Sequence, residues 1–453
     1  MTQAPYAGTV PDSLTGPRGA LGRHAGLLRQ PDFRNLWLAQ SVSQVGTQVT
    51  LLALPLVAII VLDASPLEVG VLGALEFLPF LLFTLPAGVW VDRLQRRRIL
   101  VAADVGRALV LAAVPLAYSA NVLAMWQLYA VAFVAGTMTV FFDVGYQAFL
   151  PELVERDRLT EGNSRLEVSR STAQVLGPGL AGVLVGAITA PFAILVDAVS
   201  YLGSASFIVR IRAGRAASGS SAPAAAAARP GFRQEIGEGL RYFLANPYLR
   251  ATAAGVTTLN FAGQLTGAIY LVFVVRELGL TPEVIGFTVA IGSLGTVVGA
   301  ATAATIGRRV GVGRALVGAF VVMSLATFII AAAPREAAIP FLIVAGLLQG
   351  PAVMVVNVNA LSLRQAVTPD HLLGRVNATG RWIAWGAIPL GALVGGVLAT
   401  TIGLRPTIAI GGVIGLFAAF VLFASPLQTL REIPHLAGLG KHDPSTTTES
   451  PPA

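Results

Sequence analysis

The sequence predicts an all-α integral membrane protein with twelve transmembrane helices arranged as two pseudo-symmetric six-helix bundles. Three observations predict it. Over 453 residues the chain is 55% hydrophobic and only 12% charged, about half the charge of an ordinary soluble chain. Its apolar residues fall into twelve runs long enough to cross lipid. Its arginines and weak internal matches divide those runs six and six.

A hydrocarbon core of about 30 Å needs roughly 20 apolar residues per helix. Such runs cover 36–62, 67–91, 99–118, 125–149, 173–188, 192–209, 251–275, 282–306, 315–333, 337–358, 382–402 and 407–423. The fifth and sixth are parted only by Thr189–Pro191, where the proline supplies the helix break. With both termini cytoplasmic, every Lys and Arg of the 31 lies on the inner side except Arg107, Arg276, Arg335 and Arg405. Retention of positive charge in cytoplasmic segments favours that orientation, so the protein is expected in the cell membrane as a multi-pass chain. The net charge of +8 then needs no nucleic-acid partner, and no basic patch with interleaved aromatics argues for one.

The organisation expected is a flexible cytoplasmic tail over 1–35, a six-helix bundle over 36–210, and a cytoplasmic linker over 211–245. A second bundle covers 246–426, and a flexible tail covers 427–453. The first 35 residues are polar and unlike a cleavable signal peptide, which leaves targeting to the first span. The stretch "GSSAPAAAAARP" at 219–230 has linker composition. Matches between the halves keep one order and nearly one offset. "DRL" at 157–159 returns as "DHL" at 370–372, and "GPGLAG" at 177–182 as "IPLGALVGG" at 388–396. Gln44 and Gln48 return as Asn260 and Gln264, and "DRLQRRR" at 92–98 has the basic echo "GRRVGVGR" at 307–314. Two such bundles can rock about a site near the midplane, exposing it to each face in turn.

No residue set argues for an enzyme. Cysteine is absent, and His24, His371, His435 and His442 lie in predicted loops or tails with no ligand-like cluster. No metal site, catalytic set or cofactor is expected. No phosphate-binding loop occurs, and the single lysine, Lys441, lies in the C-terminal tail, so ATP-driven transport is not expected.

The loop "GVWVDRLQRRRIL" at 88–100 carries the most specific signal. It is similar to the motif Gly-x-Leu-Ala-Asp-Arg-x-Gly-Arg-Lys-x-x-Leu of the major facilitator superfamily: Gly88, Asp92, Arg93, Arg96 and Leu100 match, and Arg97 replaces the lysine. Trp90 and Val91 replace the Leu-Ala pair, and Gln95 the second glycine. The resemblance covers about 33–426 and implies the major facilitator fold. It implies a conformational latch of Gly88, Asp92, Arg93, Arg96 and Arg97, with Asp92 pairing to arginine or to a helix N-terminus in the outward-facing state. The plainer alternative is that any cytoplasmic loop collects arginine.

"GPGLAG" resembles the fifth-helix motif of exporting drug:proton antiporters, Gly-Pro-x-x-Gly-Gly, through Gly177, Pro178 and Gly182, with Ala181 in place of the first closing glycine. Gly177, Gly179 and Gly182 permit close approach of a neighbouring helix, and Pro178 kinks the span. The stretches 150–164 and 195–205 resemble the branch holding macrolide-efflux and siderophore-exporting proteins. The implied function is proton-coupled antiport of a hydrophobic or amphiphilic organic molecule by a monomer embedded in membrane lipid. A proton-linked importer of a small metabolite and a transporter-shaped sensor are the alternatives.

Polar residues within the spans are the site candidates. A charge at the bilayer centre costs about 2.5–3.5 kcal/mol, so a carboxyl at that depth gains from taking up a proton. Glu76, near the middle of the second span, is the foremost proton-coupling candidate, or else a hydrogen-bonded helix fastener. Asp143 and Asp197 are further coupling candidates that could instead brace the fold. Asp104 and Arg107, three apart, are expected to form a structural ion pair. Gln40, Gln44 and Gln48 stand on one stripe of the first span. In the family resembled, the first and seventh helices line the cavity, so Gln44, Gln48, Asn260 and Gln264, with Gln349 and Asn357 in the tenth span, are substrate-cavity candidates. Helix-packing hydrogen bonds are the alternative.

Overall fold

The computed structural model describes residues 26–212 and 240–430. The linker stretch 219–230, the outer parts of both tails, His24, His435, His442 and Lys441 lie outside the described residues, as do the side chains of Asp92 and His371.

Twelve helices are long and apolar enough to cross a membrane. We number them α1 (Pro31–Leu56), α2 (Pro66–Arg93), α3 (Arg96–Ser119), α4 (Met125–Leu153), α5 (Leu159–Ile188), α6 (Ala190–Val209), α7 (Pro247–Val272), α8 (Pro282–Val310), α9 (Val312–Ala332), α10 (Ala338–Ala366), α11 (Asp370–Ile402) and α12 (Leu404–Phe423). Their count puts both termini and the linker at one end of the molecule, called here the linker end, with the far end opposite.

Local chemistry sets the helix starts. Proline occupies the first position of α1, α2, α7 and α8, where its missing N–H is no loss. Ser65 and Glu68 close a capping box on α2, with the Ser65 N–H donating to Glu68 Oε2 at 2.7 Å. Asn246 Oδ1 accepts from the N–H groups of Tyr248 and Leu249 at 3.0 and 3.2 Å ahead of α7. Each such cap contributes about 1 kcal/mol. The abrupt α5–α6 turn is made by Thr189 at φ +69°, and the matching α11–α12 turn by Gly403 at φ +93°.

Four boundaries differ from the hydropathy reading. α1 begins at Pro31, with Leu27 and Phe33 fully buried, and Leu427 is buried in a short turn after α12. Residues 26–35 and 427–430 are therefore packed rather than flexible tail. α5 and α11 also begin early, by about four and about three turns, at Leu159 and Asp370. A hydropathy window passes over these extensions because they are polar. On α5, ion pairs at helical spacing help to hold the extension: Arg158–Glu161 at 3.0 Å, Arg165–Glu161 at 3.6 Å and Arg170–Glu167 at 2.6 Å.

The packing repeats. α1 packs on α5 and α6, α3 on α4 and α6, and α2 on α4; α7 does the same with α11 and α12, α9 with α10 and α12, and α8 with α10. Even an irregularity repeats: α1 ends in a π-helical turn at Val57–Val61 and α7 in another at Phe273–Glu277. The halves meet along two crossings, α2 with α11 and α5 with α8, which exchange under the pseudo-twofold. Glycine makes both close. A Cβ on Gly182 would lie 2.5 Å from the Pro282 carbonyl oxygen and 2.9 Å from Gly286 Cα, and one on Gly70 would lie 2.8 Å from Gly396 Cα.

At the far end a single apolar core draws on both halves, with Leu56, Leu72 and Ile194 beside Ile269, Ile285 and Ile330. At the linker end each half keeps its own core, around Phe33 and Phe149 in one and Phe320 and Leu363 in the other. The molecule is thus closed at the far end and divided at the linker end. Its outer faces expose Leu109, Leu116, Trp126 and Leu176, as lipid contact requires.

Candidate transport cavity

A cavity of about 1220 Å³ is walled by all six helices of the N-terminal half, α1–α6, and reaches Arg381 and Trp385 of α11 in the other half. α1 contributes the amide stripe Gln40, Gln44 and Gln48, as its spacing predicts. Glu76 of α2 is half-buried in the wall beside Phe77 and Phe80. Its carboxyl has no hydrogen-bond or ion-pair partner among the described residues.

The remaining candidate acids converge on one arginine. Arg107 forms an ion pair with Asp104 three residues before it on α3, and both are buried. The guanidinium is held between two rings, 4.4 Å from the centre of Phe142 and 4.0 Å from that of Tyr201. Cation–π contacts of this kind add about 2 kcal/mol when desolvated. Asp143 and Asp197 lie within electrostatic reach of the same guanidinium. Asp197 is fully buried and accepts from Thr50 Oγ1 at 2.5 Å and Ser200 Oγ at 2.9 Å. The Tyr201 hydroxyl shares a 2.9 Å hydrogen bond with Thr47 Oγ1. The sequence-expected pair Asp104–Arg107 is therefore present, as the hub of a three-carboxyl cluster in which Asp143 and Asp197 line the cavity. The two ring partners lie 35 and 94 positions from Arg107 in sequence, which is why spacing along the chain cannot reveal them.

A second cavity of about 580 Å³ lies between α2, α7, α10 and α11. Asn260 and Asn357 line it, and Asn260 Nδ2 donates to the Ala384 carbonyl at 2.9 Å. Gln264 and Gln349 are not among the residues lining either cavity. Gln264 lies instead at the α7–α2 contact near Gly73. Phe80, Arg381 and Trp385 border both cavities. The Phe80 and Trp385 rings meet edge to face at 5.3 Å, and Arg381 lies 5.5 Å over the Trp385 ring. This shared waist is invisible to hydropathy, which leaves Arg381 in a loop; the structure places it about three turns into α11. The apolar pair Leu372 and Val376 at i, i+4, both buried, is the signal that the helix starts earlier.

The α5 motif sits at the crossings rather than in open cavity. Gly177 faces Gln48 of α1, Gly179 lies near Ala290 of α8, and Gly182 and the Pro178 carbonyl press on Gly286. In the loop motif, Arg96 pairs with Glu152 and donates to the Ala148 carbonyl at 3.2 Å. Arg97 donates to the carbonyls of Ile208 and Val209 at the C-terminal end of α6, the end where a helix dipole attracts cations. Arg93 is exposed, and a Cβ on Gly88 would meet nothing within 4 Å. The observed bonds of Arg96 and Arg97 stay within the N-terminal half.

A multi-pass chain of two repeated six-helix bundles, closed at one end around a polar midplane cavity, defines a secondary transporter of the major facilitator type. The family described as transmembrane secretion effector (MFS_3) matches residues 24–445, and the chain belongs to it. That family is one of transporters rather than enzymes. Multidrug efflux pump Tap of Mycolicibacterium fortuitum is 28% identical over 374 residues, covering 80% of this chain and 88% of that protein. Among solved structures, a mutant of the nucleoside transporter NupG superposes with a TM-score of 0.72 at 11% identity, covering 86% of this chain and 99% of that one. A bacterial homologue of the iron transporter ferroportin, in an inward-facing state, gives 0.67 at 17% identity over 88% and 98%. At such identities these two structures speak to the fold alone.

Proposed function

We propose that this chain exports hydrophobic or amphiphilic organic molecules in exchange for protons, by alternating access, with its termini and linker in the cytoplasm. The observation that carries the proposal is the unpartnered carboxyl of Glu76 in the wall of an aromatic- and amide-lined cavity. A carboxyl without a competing partner is free to take up and release a proton. Asp143 and Asp197 serve beside it: three carboxyls around one guanidinium carry unequal charge, so a proton or cation can join the cluster. Asp104 anchors Arg107, and Gln44, Gln48, Asn260 and Asn357 orient the cargo. The likeness to a multidrug efflux pump supports export and a broad cargo range, within which macrolide-like and siderophore-like molecules belong.

With the linker end cytoplasmic, the conformation described is inward-facing. The α5 and α11 glycines then form the outer seal. The latch of Gly88, Asp92, Arg93, Arg96 and Arg97 engages in the opposite state, when α2 and α11 close at the linker end and the open face of Gly88 is covered.

Reconstitution in proteoliposomes tests this. Ethidium moving down its gradient should drive protons the other way through the unmodified protein. Glu76→Gln should abolish that proton movement while leaving ethidium exchange intact. Proton movement undiminished in the variant would remove Glu76 from the mechanism, and absence of exchange in the unmodified protein would favour a sensor.

A further inference from the structure

The two cavities differ in charge. The larger is mixed, with the carboxyls of Glu76, Asp143, Glu167 and Asp197 beside the guanidiniums of Arg107, Arg170 and Arg381. The smaller carries the guanidiniums of Arg364 and Arg381 among the amides of Asn260, Asn357 and Asn377, and no Asp or Glu stands among its described lining residues. Arg364 lies in the last turn of α10. It has no hydrogen-bond or ion-pair partner among the described residues, and its Nε is buried. Buried Oδ1 of Asn377, in the same wall, also lacks a donor. An arginine kept only to orient the chain in the membrane satisfies its donors in water or among headgroups. Arg364 instead lies half-buried in the cavity wall with its Nε shut away and unmet, which is costly.

Arg381 extends the same surface to the waist. It lies on Trp385, borders both cavities and is within electrostatic reach of Asp143. A guanidinium matches the two oxygens of a carboxylate or phosphate. We propose that the smaller cavity is a subsite for an oxyanion carried on the transported molecule. The cargo then spans the Phe80–Trp385 waist, with its apolar or cationic body in the larger cavity and its anionic group at Arg364 and Arg381. This inference rests on the reading of the chain as a carrier of amphiphiles and narrows the cargo to those with an oxyanion.

Two dyes with one body separate the alternatives: rhodamine B, which bears a free carboxylate, and its ethyl ester, in which the carboxylate is masked. Fluorescence polarisation on the full chain in neutral detergent should show tighter binding of the acid by about tenfold, the value of one charge-assisted hydrogen-bonded contact. Arg364→Gln should erase the preference while leaving ester affinity unchanged, Arg381→Gln should erase it as well, and Arg364→Lys should retain part of it. Unchanged ester affinity in Arg364→Gln also reports that this variant is folded. Ester binding with no preference for the acid, or a preference that survives both glutamine variants, overturns the subsite and leaves the amphiphile reading standing. Binding of neither dye overturns both. A preference present in phosphatidylcholine nanodiscs and lost in phosphatidylglycerol ones supports the subsite and identifies a lipid phosphate as a second source of the oxyanion.

Discussion

Gly182→Ala tests the far-end seal directly. The added methyl carbon would stand 2.5 Å from the Pro282 carbonyl oxygen and 2.9 Å from Gly286 Cα. Both neighbours are backbone, so no side chain can swing away and α5 must move off α8. Overpacking of this kind costs about 1–3 kcal/mol. The cost falls on the conformation described, because separation of the far-end crossing frees the methyl. The equilibrium should therefore move by about 5- to 150-fold toward the far-end-open state. The chain has no cysteine, so Leu51→Cys, in the wall of the larger cavity, supplies a single reporter thiol. Its labelling by a membrane-impermeant maleimide from the face opposite the linker should quicken at least fivefold in Gly182→Ala, the lower bound of that shift. Gly396→Ala, whose methyl would lie 3.0 Å from the Pro66 carbonyl oxygen and 3.1 Å from Gly70 Cα, should give a smaller increase. Equal labelling in the parent and both variants, with expression unchanged, refutes the idea that these glycines hold the closed end.

Removing the hub should be more damaging than removing any one of its acids. Arg107→Gln leaves Asp104 buried without its countercharge, a loss of about 3–5 kcal/mol, read as a marked fall in thermal unfolding temperature; a fall no larger than that of Asp143→Asn would show that the cluster is not centred on Arg107. Asp92→Asn should slow turnover with little change in substrate affinity, measured by transport and equilibrium binding on the same preparation. A large affinity loss with normal turnover would count against the latch.

The twelve helices and their division six and six were legible because lipid demands continuous apolar runs and because arginine marks one side. The early starts of α5 and α11 were not legible in the same way. Glu161 forms ion pairs with Arg158 and Arg165, and Glu167 with Arg170, along the helix surface, so a polar stretch remains helical where hydropathy sees a loop. The Asp104–Arg107 pair was readable from helical spacing, whereas Phe142 and Tyr201 reach Arg107 only through packing of α4 and α6. Gln264 matched Gln48 in the repeat yet is not among the residues lining either cavity. Equivalent backbone positions need not keep equivalent surroundings once α2 and α11 close over one of them.

The widened turns at Val57–Val61 and Phe273–Glu277 bear on the order of events in the history of this chain. Each adds a residue to its helix and turns everything beyond it to a new bearing, and they stand at the same place in the two copies. One inherited insertion accounts for both more simply than two separate ones, which dates it to the ancestral six-helix unit before gene duplication. A reconstructed half-length ancestor should therefore carry the wide turn already, and a dimer of such halves would start with its rim residues facing as they do today.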